Sequence, residues 1–231
     1  MSTKEEQNGF SDSDKNEQEF NQEEINFKII LIGNSGVGKS SITIKAIKGQ
    51  FDASITSTVG FEFLCYHSKV DNKIVNLHIW DTCGQEAYKS LIRSFYRNSV
   101  LAIVVYAIDN KQTFKDLEIW INDLKKESNP DVKIIIIGNK ADNEDLRQVS
   151  KQDGEQFCKD HSGSLFMETS AKTGLNIIQL FDEVAKLLYE ESKKIKERAN
   201  ILNHKDSISS NNDYDEKPEK GRCRRLKCPC N

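Results

Sequence analysis

Short apolar runs alternate with amphipathic segments through the middle of the chain. Continuous β-branched runs are typical of strands buried on both faces of a parallel sheet, and they lie at residues 27–32, 100–106 and 134–137. Residues 165–168 are a further predicted strand. Helical periodicity is found between them, at residues 39–48, 85–97, 113–126, 151–160 and 177 to about 196. Strands and helices in alternation predict an open α/β sheet with ligand-binding loops at the carboxyl ends of its strands.

One pair of apolar runs follows a different pattern. Residues 61–70 and 73–80 are separated only by Asp71 and Asn72, which is a turn signal. The pair therefore predicts an antiparallel hairpin at one edge of the sheet.

The two ends of the chain differ from this middle block. Residues 1–24 are rich in acidic side chains, with Phe10 and Phe20 as large apolar ones, so we predict a disordered acidic arm over residues 1–25. Residues 199–231 predict a flexible tail that becomes strongly basic near its end. Between them, residues 26–198 form the predicted globular domain.

Composition narrows the class of protein. The 231 residues carry a formal charge of −3, with 37% hydrophobic and 30% charged residues, as in ordinary soluble globular proteins. No basic excess indicates nucleic acid as a partner, and every apolar run is far shorter than the ~18 to 20 residues that cross a bilayer. Residues 1–6 show neither an apolar secretion segment nor a glycine at position 2, so the default expectation is a cytosolic protein.

The cysteines and histidines do not form a metal-binding pattern. Three of the six cysteines are scattered through the body and three lie in the last nine residues, which fits neither a disulfide framework nor a zinc site. The histidines share no spacing and are expected not to be ligands; they are His67, His78, His161 and His204.

A phosphate-binding loop follows the first predicted strand. Residues 33–40 match GxxxxGK[ST] where the strand ends and a helix begins, so backbone N–H groups and the helix N-terminus can face phosphate oxygens. Lys39 is predicted to reach the β and γ phosphates, and the Ser40 hydroxyl to bind Mg²⁺. The candidate phosphate-binding residues of this loop are Gly33, Asn34, Ser35, Gly36, Val37, Gly38, Lys39 and Ser40.

A second constellation begins at Asp81, where the 73–80 strand ends. A carboxylate at this place can hold Mg²⁺ through water, and the Gly84 N–H can contact a γ phosphate. Gln85 can orient an attacking water molecule, which makes it the candidate catalytic residue. An Asp-x-x-Gly segment alone is common in plain turns, so this interpretation depends on its pairing with the phosphate loop.

A third motif, residues 139–142, predicts which nucleotide base is bound. The Asp142 carboxylate can accept from both N1–H and the 2-amino group of guanine, two donors that adenine lacks. Asn139 would connect the base loop to the phosphate loop, and Lys140 would lie along the purine face. The Ala171 N–H, after the 165–168 strand, can meet guanine O6. The candidate guanine-binding residues here are Asn139, Lys140, Asp142, Ser170, Ala171 and Lys172.

The three motifs, in this order, resemble those of the small GTPases of the Ras superfamily, and most those of the Rab family. The segments most similar to Rab proteins are 57–63, 77–81, 94–98 and 166–173. The resemblance covers residues 26 to about 194. It implies the P-loop NTPase G-domain fold, an α/β fold with a six-stranded, mostly parallel sheet, one antiparallel edge strand and about five helices.

The resemblance also implies roles for further residues. Thr58 would bind Mg²⁺ only when the γ phosphate is present, and Phe51 would pack beside the guanine, with simple core packing as the alternative. Switch I would cover residues 51–60 and switch II residues 84–97. The implied metal-binding residues are Ser40, Thr58 and Asp81. The implied partners are GTP and GDP, effectors that bind both switches, an exchange factor, a GTPase-activating protein, a GDP-dissociation inhibitor and a prenylation escort protein.

Two residues of the body depart from the family pattern. Cys83 stands where the family usually has alanine; it could slow hydrolysis or respond to oxidation, or it could be a tolerated change in packing. Ala107 replaces an aspartate, which concerns a local hydrogen bond rather than catalysis.

Residues 222–231 predict a membrane anchor. Their basic side chains attract anionic lipid at about 1 kcal/mol each, and a single prenyl chain alone binds weakly. The resemblance implies geranylgeranylation of Cys228 and Cys230, whereas a C-a-a-X interpretation modifies Cys228 alone. The expected location is the cytoplasmic face of endomembranes, with a soluble cytosolic pool.

The sequence therefore predicts a Rab-type switch that regulates vesicle trafficking and hydrolyses GTP slowly. Three alternatives stay open: a non-hydrolysing binding module, suggested by Cys83; a Ras-like signalling GTPase at the plasma membrane; and a P-loop ATPase or nucleoside kinase. Residues 60–63 and the paired cysteines argue against the second alternative, and Asp142 argues against the third.

Overall fold

The computed structural model describes residues 24–53, 58, 60–84 and 89–209. The strands within these ranges are β1 (Glu24–Ile32), β2 (Phe61–Val70), β3 (Lys73–Thr82), β4 (Leu101–Ala107), β5 (Lys133–Asn139) and β6 (Leu165–Glu168). The helices are α1 (Lys39–Lys48), α2 (Lys89–Tyr96), α3 (Lys111–Lys115), α4 (Leu117–Glu127), α5 (Lys151–Asp160) and α6 (Ile177–Ser209).

The six described strands form one sheet in the order β2-β3-β1-β4-β5-β6. β2 and β3 pair antiparallel, and the other neighbouring strands pair parallel. Asp71 and Asn72 form the turn between β2 and β3 with φ angles of 47° and 62°, the left-handed values that a two-residue hairpin turn favours. The predicted fold class, including its antiparallel edge strand, is confirmed.

Helices cover both faces of the sheet, which explains the continuous apolar runs. All seven residues of β4 are buried, because successive side chains point to opposite layers that are both packed. Ile103 and Val105 belong to the layer formed with α1 and α6. Ala102 and Val104 belong to the layer formed with α2, α4 and α5.

The predicted helix at 113–126 is divided in the structure. α3 and α4 meet at Asp116, whose backbone N–H donates to the Gln112 carbonyl at 3.0 Å, so the chain continues with an interruption of one residue. When this pair is taken as one interrupted helix, the described helices agree with the predicted number of about five.

Helix α6 extends beyond its predicted end near residue 196. Residues 177–209 contain neither glycine nor proline, so no local signal stops the helix there. Residues 199–209, which the sequence assigned to the tail, therefore belong to α6. Within the described residues, no helix has both the length and the apolar character needed to cross a membrane.

The acidic arm and the basic end of the tail stay predictions. Residues 1–23 and 210–231 lie outside the described residues, and with them the acidic arm and most of the tail. β1 begins at Glu24, just before the predicted domain boundary at residue 26.

Replacing Gly154 with alanine should destabilise the fold, against the usual preference of helices for alanine. A Cβ at this buried position of α5 would lie 2.5 Å from ring atoms of Phe166 and 2.7 Å from Tyr106 Oη. Alanine gains about 1 kcal/mol over glycine at a free helical position, but overpacking typically costs about 1 to 3 kcal/mol. We expect a net loss of about 1 kcal/mol in the free energy of unfolding.

Urea unfolding of Gly154→Ala measures this loss. Gln152→Ala, at an exposed position of the same helix, is the matched control and should unfold like the parent protein. A free energy of unfolding that is unchanged or raised in Gly154→Ala would show that the two rings have room to move.

Candidate functional site

The candidate site lies at the carboxyl ends of β1, β3, β5 and β6. The predicted phosphate loop connects β1 to α1, whose first residue is Lys39. Asp81 lies at the end of β3, Asn139 ends β5, and residues 170–172 follow β6. Because these strands run parallel, loops that are distant in sequence meet at one edge of the sheet.

The phosphate loop turns at Gly36 and Gly38, whose φ angles are 74° and 95°. The Gly38 carbonyl accepts from the Ile42 N–H at 2.9 Å, which begins the hydrogen bonding of α1. A Cβ on Gly38 would overlap the Asn139 side chain, so glycine lets the base loop approach the phosphate loop. The N-terminus of α1 thus faces the loop, an arrangement suited to an anion.

Lys39 is buried in this loop, with 5% of its surface exposed. Its Nζ donates to the Gly33 carbonyl at 2.8 Å and to the Asn34 carbonyl at 2.9 Å. Burial lowers the pKa of Lys39 to about 8, although the Asp81 charge opposes the shift. A bound phosphate would bring negative charge to this poorly solvated ammonium, so the lysine favours an anionic ligand.

Three side-chain oxygens converge next to Lys39. Ser40 Oγ lies 2.5 Å from Thr58 Oγ1 and donates to Asp81 Oδ2. The structure thereby brings together the three residues that the sequence implied as metal-binding. We refer to Ser40, Thr58 and Asp81 as the oxygen cluster.

The oxygen cluster fits Mg²⁺. Asp81 is fully buried, and its Oδ1 has no hydrogen-bond partner among the described residues. Burial raises the pKa of Asp81 to about 6, although the Ser40 hydroxyl and Lys39 both lower it. Hydroxyl and carboxylate oxygens suit Mg²⁺, which is usually held by one or two carboxylates together with phosphate and water. A divalent cation would therefore partner the carboxylate oxygen that the protein leaves unpaired.

In the part of the chain that the structure describes, no three His, Cys, Asp or Glu side chains gather into a possible metal site. His67 illustrates the structural role of a histidine here, since its Nδ1 hydrogen bonds with Asn76 Oδ1 at 2.6 Å between β2 and β3.

Gly84 lies directly against the phosphate loop. A Cβ on Gly84 would overlap the peptide that joins Asn34 and Ser35, so only glycine permits this approach. The candidate catalytic residue Gln85 lies outside the described residues, as do positions 54–57 and 59 of the predicted switch I. Their roles stay predictions.

Asn139 connects the base loop to the phosphate loop. Its Nδ2 donates to the Val37 carbonyl at 2.8 Å. Its Oδ1 accepts from Thr169 Oγ1 at 3.2 Å and from the Ala171 N–H at 3.3 Å. This side chain is 2% exposed, so one buried amide holds the loops after β1, β5 and β6 in a single arrangement.

Asp142 is oriented by the loop after β6. Its Oδ1 accepts from Ser170 Oγ at 2.6 Å, and its Oδ2 lies 3.6 Å from Lys172 Nζ. A carboxylate has about four acceptor positions, so lone pairs remain for the two N–H donors of a guanine edge. Lys172 is largely exposed and can move aside from the carboxylate.

Two residues support the base loop without having been candidates from the sequence. Asp109 lies 3.6 Å from Lys140 Nζ and accepts from Asn143 Nδ2 at 2.9 Å. Thr169 donates to Asn139, as described above. The available signal was their position just after the carboxyl ends of β4 and β6, the edge at which a parallel sheet places its ligand loops.

The structure also describes the surroundings of Phe51, Cys83 and Ala107, the remaining residues that the sequence singled out. Phe51 is 39% exposed, which is not the environment of a core residue. Cys83 is buried in the layer that contains α4, and its N–H donates to the Gly60 carbonyl at 2.9 Å. The Ala107 N–H donates to Thr113 Oγ1 at 3.0 Å, so a threonine supplies a local hydrogen bond at this departure from the family pattern.

The chain was compared with models of known protein families. Residues 28–190 match the model of the Ras family. The matched region covers well over half of the chain and contains all four loops of the candidate site. It excludes the acidic N-terminal residues and the C-terminal tail.

Replacing Asn139 with aspartate should accelerate nucleotide release. The carboxylate keeps the size of the side chain but loses the donor to Val37 and places a negative charge against a buried carbonyl. We expect a fluorescent guanine nucleotide to dissociate at least about tenfold faster, measured by displacement in stopped flow.

A graded comparison accompanies this variant. Thr169→Val removes one donor to the same amide and should accelerate release less than Asn139→Asp does. Equal release rates in the parent protein and both variants would contradict the bridging role of Asn139.

Proposed function

Because the chain belongs to the Ras family of small GTPases, we propose that it is a Rab-type switch that regulates vesicle trafficking by cycling between GTP and GDP. Membership of the family implies a domain that binds guanine nucleotides and hydrolyses GTP. The Rab assignment, the lipid anchor and the trafficking role are the finer part of the proposal.

The bridging amide of Asn139 supports the nucleotide site most directly. It joins the loop that carries Lys39 to the loop that carries Asp142. Its Nδ2 donates to the Val37 carbonyl of the phosphate loop at 2.8 Å. A ligand that satisfies both loops needs phosphates at one end and a base with adjacent N–H donors at the other. GTP and GDP have this combination.

Each part of the site has a separate role in the proposed reaction. Lys39 and the N–H groups of the phosphate loop hold the β and γ phosphates. Mg²⁺, held by the oxygen cluster, would neutralise phosphate charge. Gln85 would orient the attacking water, in the manner of the general template for this class of reaction.

Both predicted switches have a residue placed to respond to the γ phosphate. Thr58 of switch I belongs to the oxygen cluster, and Gly84 begins switch II against the phosphate loop. Loss of the γ phosphate would remove a partner from both segments, which supports a cycle of ordering and release.

An exposed aromatic patch supports binding of effectors. Phe61, Trp80 and Phe95 pack with ring centroids 4.4 to 5.3 Å apart, and Phe63 lies 5.5 Å from Trp80. Phe61 and Phe63 are 43% and 51% exposed. Such surface rings are typical of protein interaction sites. Since the patch directly follows switch I and includes part of switch II, a partner bound there would sense the nucleotide state.

Slow intrinsic hydrolysis is expected from the arrangement of the described arginines. Arg93 and Arg147 are held in ion pairs with Asp123 and Glu168. Arg97 and Arg198 line a groove at the amino ends of the parallel strands, away from the site. We therefore propose that a GTPase-activating protein supplies the missing charge in trans. An exchange factor, a GDP-dissociation inhibitor and a prenylation escort complete the proposed partners.

Asp142→Asn tests the assignment of the base. The amide loses one acceptor for the guanine edge and gains a donor, which matches the keto group at position 2 of xanthine. We expect GTP affinity to fall about 100-fold or more and the preference to shift toward xanthosine triphosphate, measured by nucleotide competition. Asp145→Asn, an exposed carboxylate in the next turn, is the control. Full guanine preference in Asp142→Asn would refute the assigned role.

Imaging of the tagged full-length protein tests the trafficking role and the anchor. The parent protein should mark discrete internal membranes, and Cys228→Ser/Cys230→Ser should become diffuse because it lacks both attachment points. Cys230→Ser alone separates the two lipidation schemes, since C-a-a-X processing needs only Cys228. A parent protein at the plasma membrane would favour the signalling alternative, and a diffuse parent protein would refute the anchor.

A further inference from the structure

The side-chain amide of Asn34 joins the phosphate loop to the α3 and α4 helices. Its Nδ2 donates to Asp116 Oδ2 at 2.6 Å, and its Oδ1 accepts from Trp120 Nε1 at 2.7 Å. Asp116 is the residue at which α3 and α4 meet, and Trp120 lies in the first turn of α4. We name Asn34, Asp116 and Trp120 the Asn34 clamp.

Both partners of the amide are themselves fixed. Trp120 is 3% exposed and packs in the hydrophobic layer that also contains Ile32 and Cys83. The other carboxylate oxygen of Asp116 accepts from Gln112 Nε2 at 2.8 Å. The indole can only donate and an ionised carboxylate can only accept. Asn34, with one donor group and one acceptor, satisfies both.

The backbone of Asn34 carries two contacts of the phosphate site. Its carbonyl accepts from Lys39 Nζ at 2.9 Å. The same carbonyl group and the Ser35 nitrogen are the atoms that a Cβ on Gly84 would overlap. Displacement of this peptide would therefore move an anchor of the buried ammonium and the surface on which Gly84 rests.

We propose that the Asn34 clamp positions the phosphate loop, so that Asp116 and Trp120 control nucleotide release and GTP hydrolysis without contacting the nucleotide. The inference rests on the proposed nucleotide site and deepens it. The clamp holds the Asn34 peptide, and through it the Lys39 ammonium and Gly84, in the arrangement that receives the β and γ phosphates. A partner that moves the α3 and α4 helices would change nucleotide affinity through the same contact.

A charge-swap series separates this role from general stability. Asn34→Asp places a carboxylate where the amide donates, against the carboxylate of Asp116, and the two like charges repel. Asp116→Asn alone still offers an acceptor to Asn34. The double variant Asn34→Asp/Asp116→Asn restores one amide and one carboxylate in exchanged positions, and the Trp120 indole keeps an acceptor.

Release of fluorescent GDP from the full-length protein with Mg²⁺ is the first measurement. We expect it to be at least about tenfold faster in Asn34→Asp, less than about threefold faster in Asp116→Asn, and within about threefold of the parent rate in the double variant. Single-turnover hydrolysis of GTP should change in the same order. If each substitution only weakened the fold in general, their effects on GDP release would add in the double variant. If they act on one specific contact, the double variant restores that contact and the release rate returns toward that of the parent protein.

Two further variants keep the test independent of the folding of Asn34→Asp. Trp120→Phe keeps a buried ring but removes the indole N–H, and should accelerate GDP release by about threefold to tenfold. Glu118→Gln removes an exposed carboxylate from the same helix and should release GDP at the parent rate. The melting temperature of each GDP-bound variant verifies that it is folded under the assay conditions.

The outcomes are distinct. Rescue in the double variant, together with faster release in Trp120→Phe, supports the clamp. The clamp is overturned if the effects on GDP release add in the double variant, or if Asn34→Asp and Trp120→Phe both release GDP at the parent rate. Either result leaves the proposed function intact. A parent protein that binds no GTP overturns the proposed function, and the clamp with it.

Discussion

The buried ammonium of Lys39 is the interaction around which the rest of the site is arranged. Burial lowers the pKa of Lys39 to about 8, and burial of the neighbouring Asp81 raises the pKa of that carboxyl group to about 6. Burial thus leaves two ionisable groups at the end of the sheet poorly solvated, which disfavours their charged forms. A phosphate and a divalent cation would compensate one group each. The same burial would therefore favour the proposed nucleotide with Mg²⁺ over a neutral ligand.

This arrangement requires a rigid frame, and the parallel sheet with its buried polar bridges provides one. β1, β3, β5 and β6 bring their carboxyl ends to one edge. From the end of β5, the Asn139 side chain hydrogen bonds to the loops after β1 and β6. Such a satisfied buried network specifies one arrangement, because any displacement leaves a polar group unpaired. The Asn34 amide makes a second bridge from the same loop toward α4. The phosphate loop is thereby connected to both the base loop and a helix outside the site.

Two described residues join the segments proposed to move to the phosphate site. The Thr58 hydroxyl lies 2.5 Å from Ser40 Oγ within the oxygen cluster, and the Gly84 backbone lies against the phosphate loop. In the proposed cycle, both contacts would change when the γ phosphate is lost. The aromatic patch of Phe61, Phe63, Trp80 and Phe95 borders both segments. A partner that binds the patch would therefore distinguish the two nucleotide states.

The sequence alone determined the fold class, the edge hairpin and the three motifs of the site, because periodicity, turn residues and phosphate-loop glycines are local signals. It placed the end of α6 too early and missed the division of the helix at Asp116. It also missed Asp109, Thr169 and the pairing of Asn34 with Asp116 and Trp120. Asn34 and those two partners are 82 and 86 residues apart in the chain. Their contact exists only because α4 packs on the sheet next to the phosphate loop, and no local pattern encodes that packing.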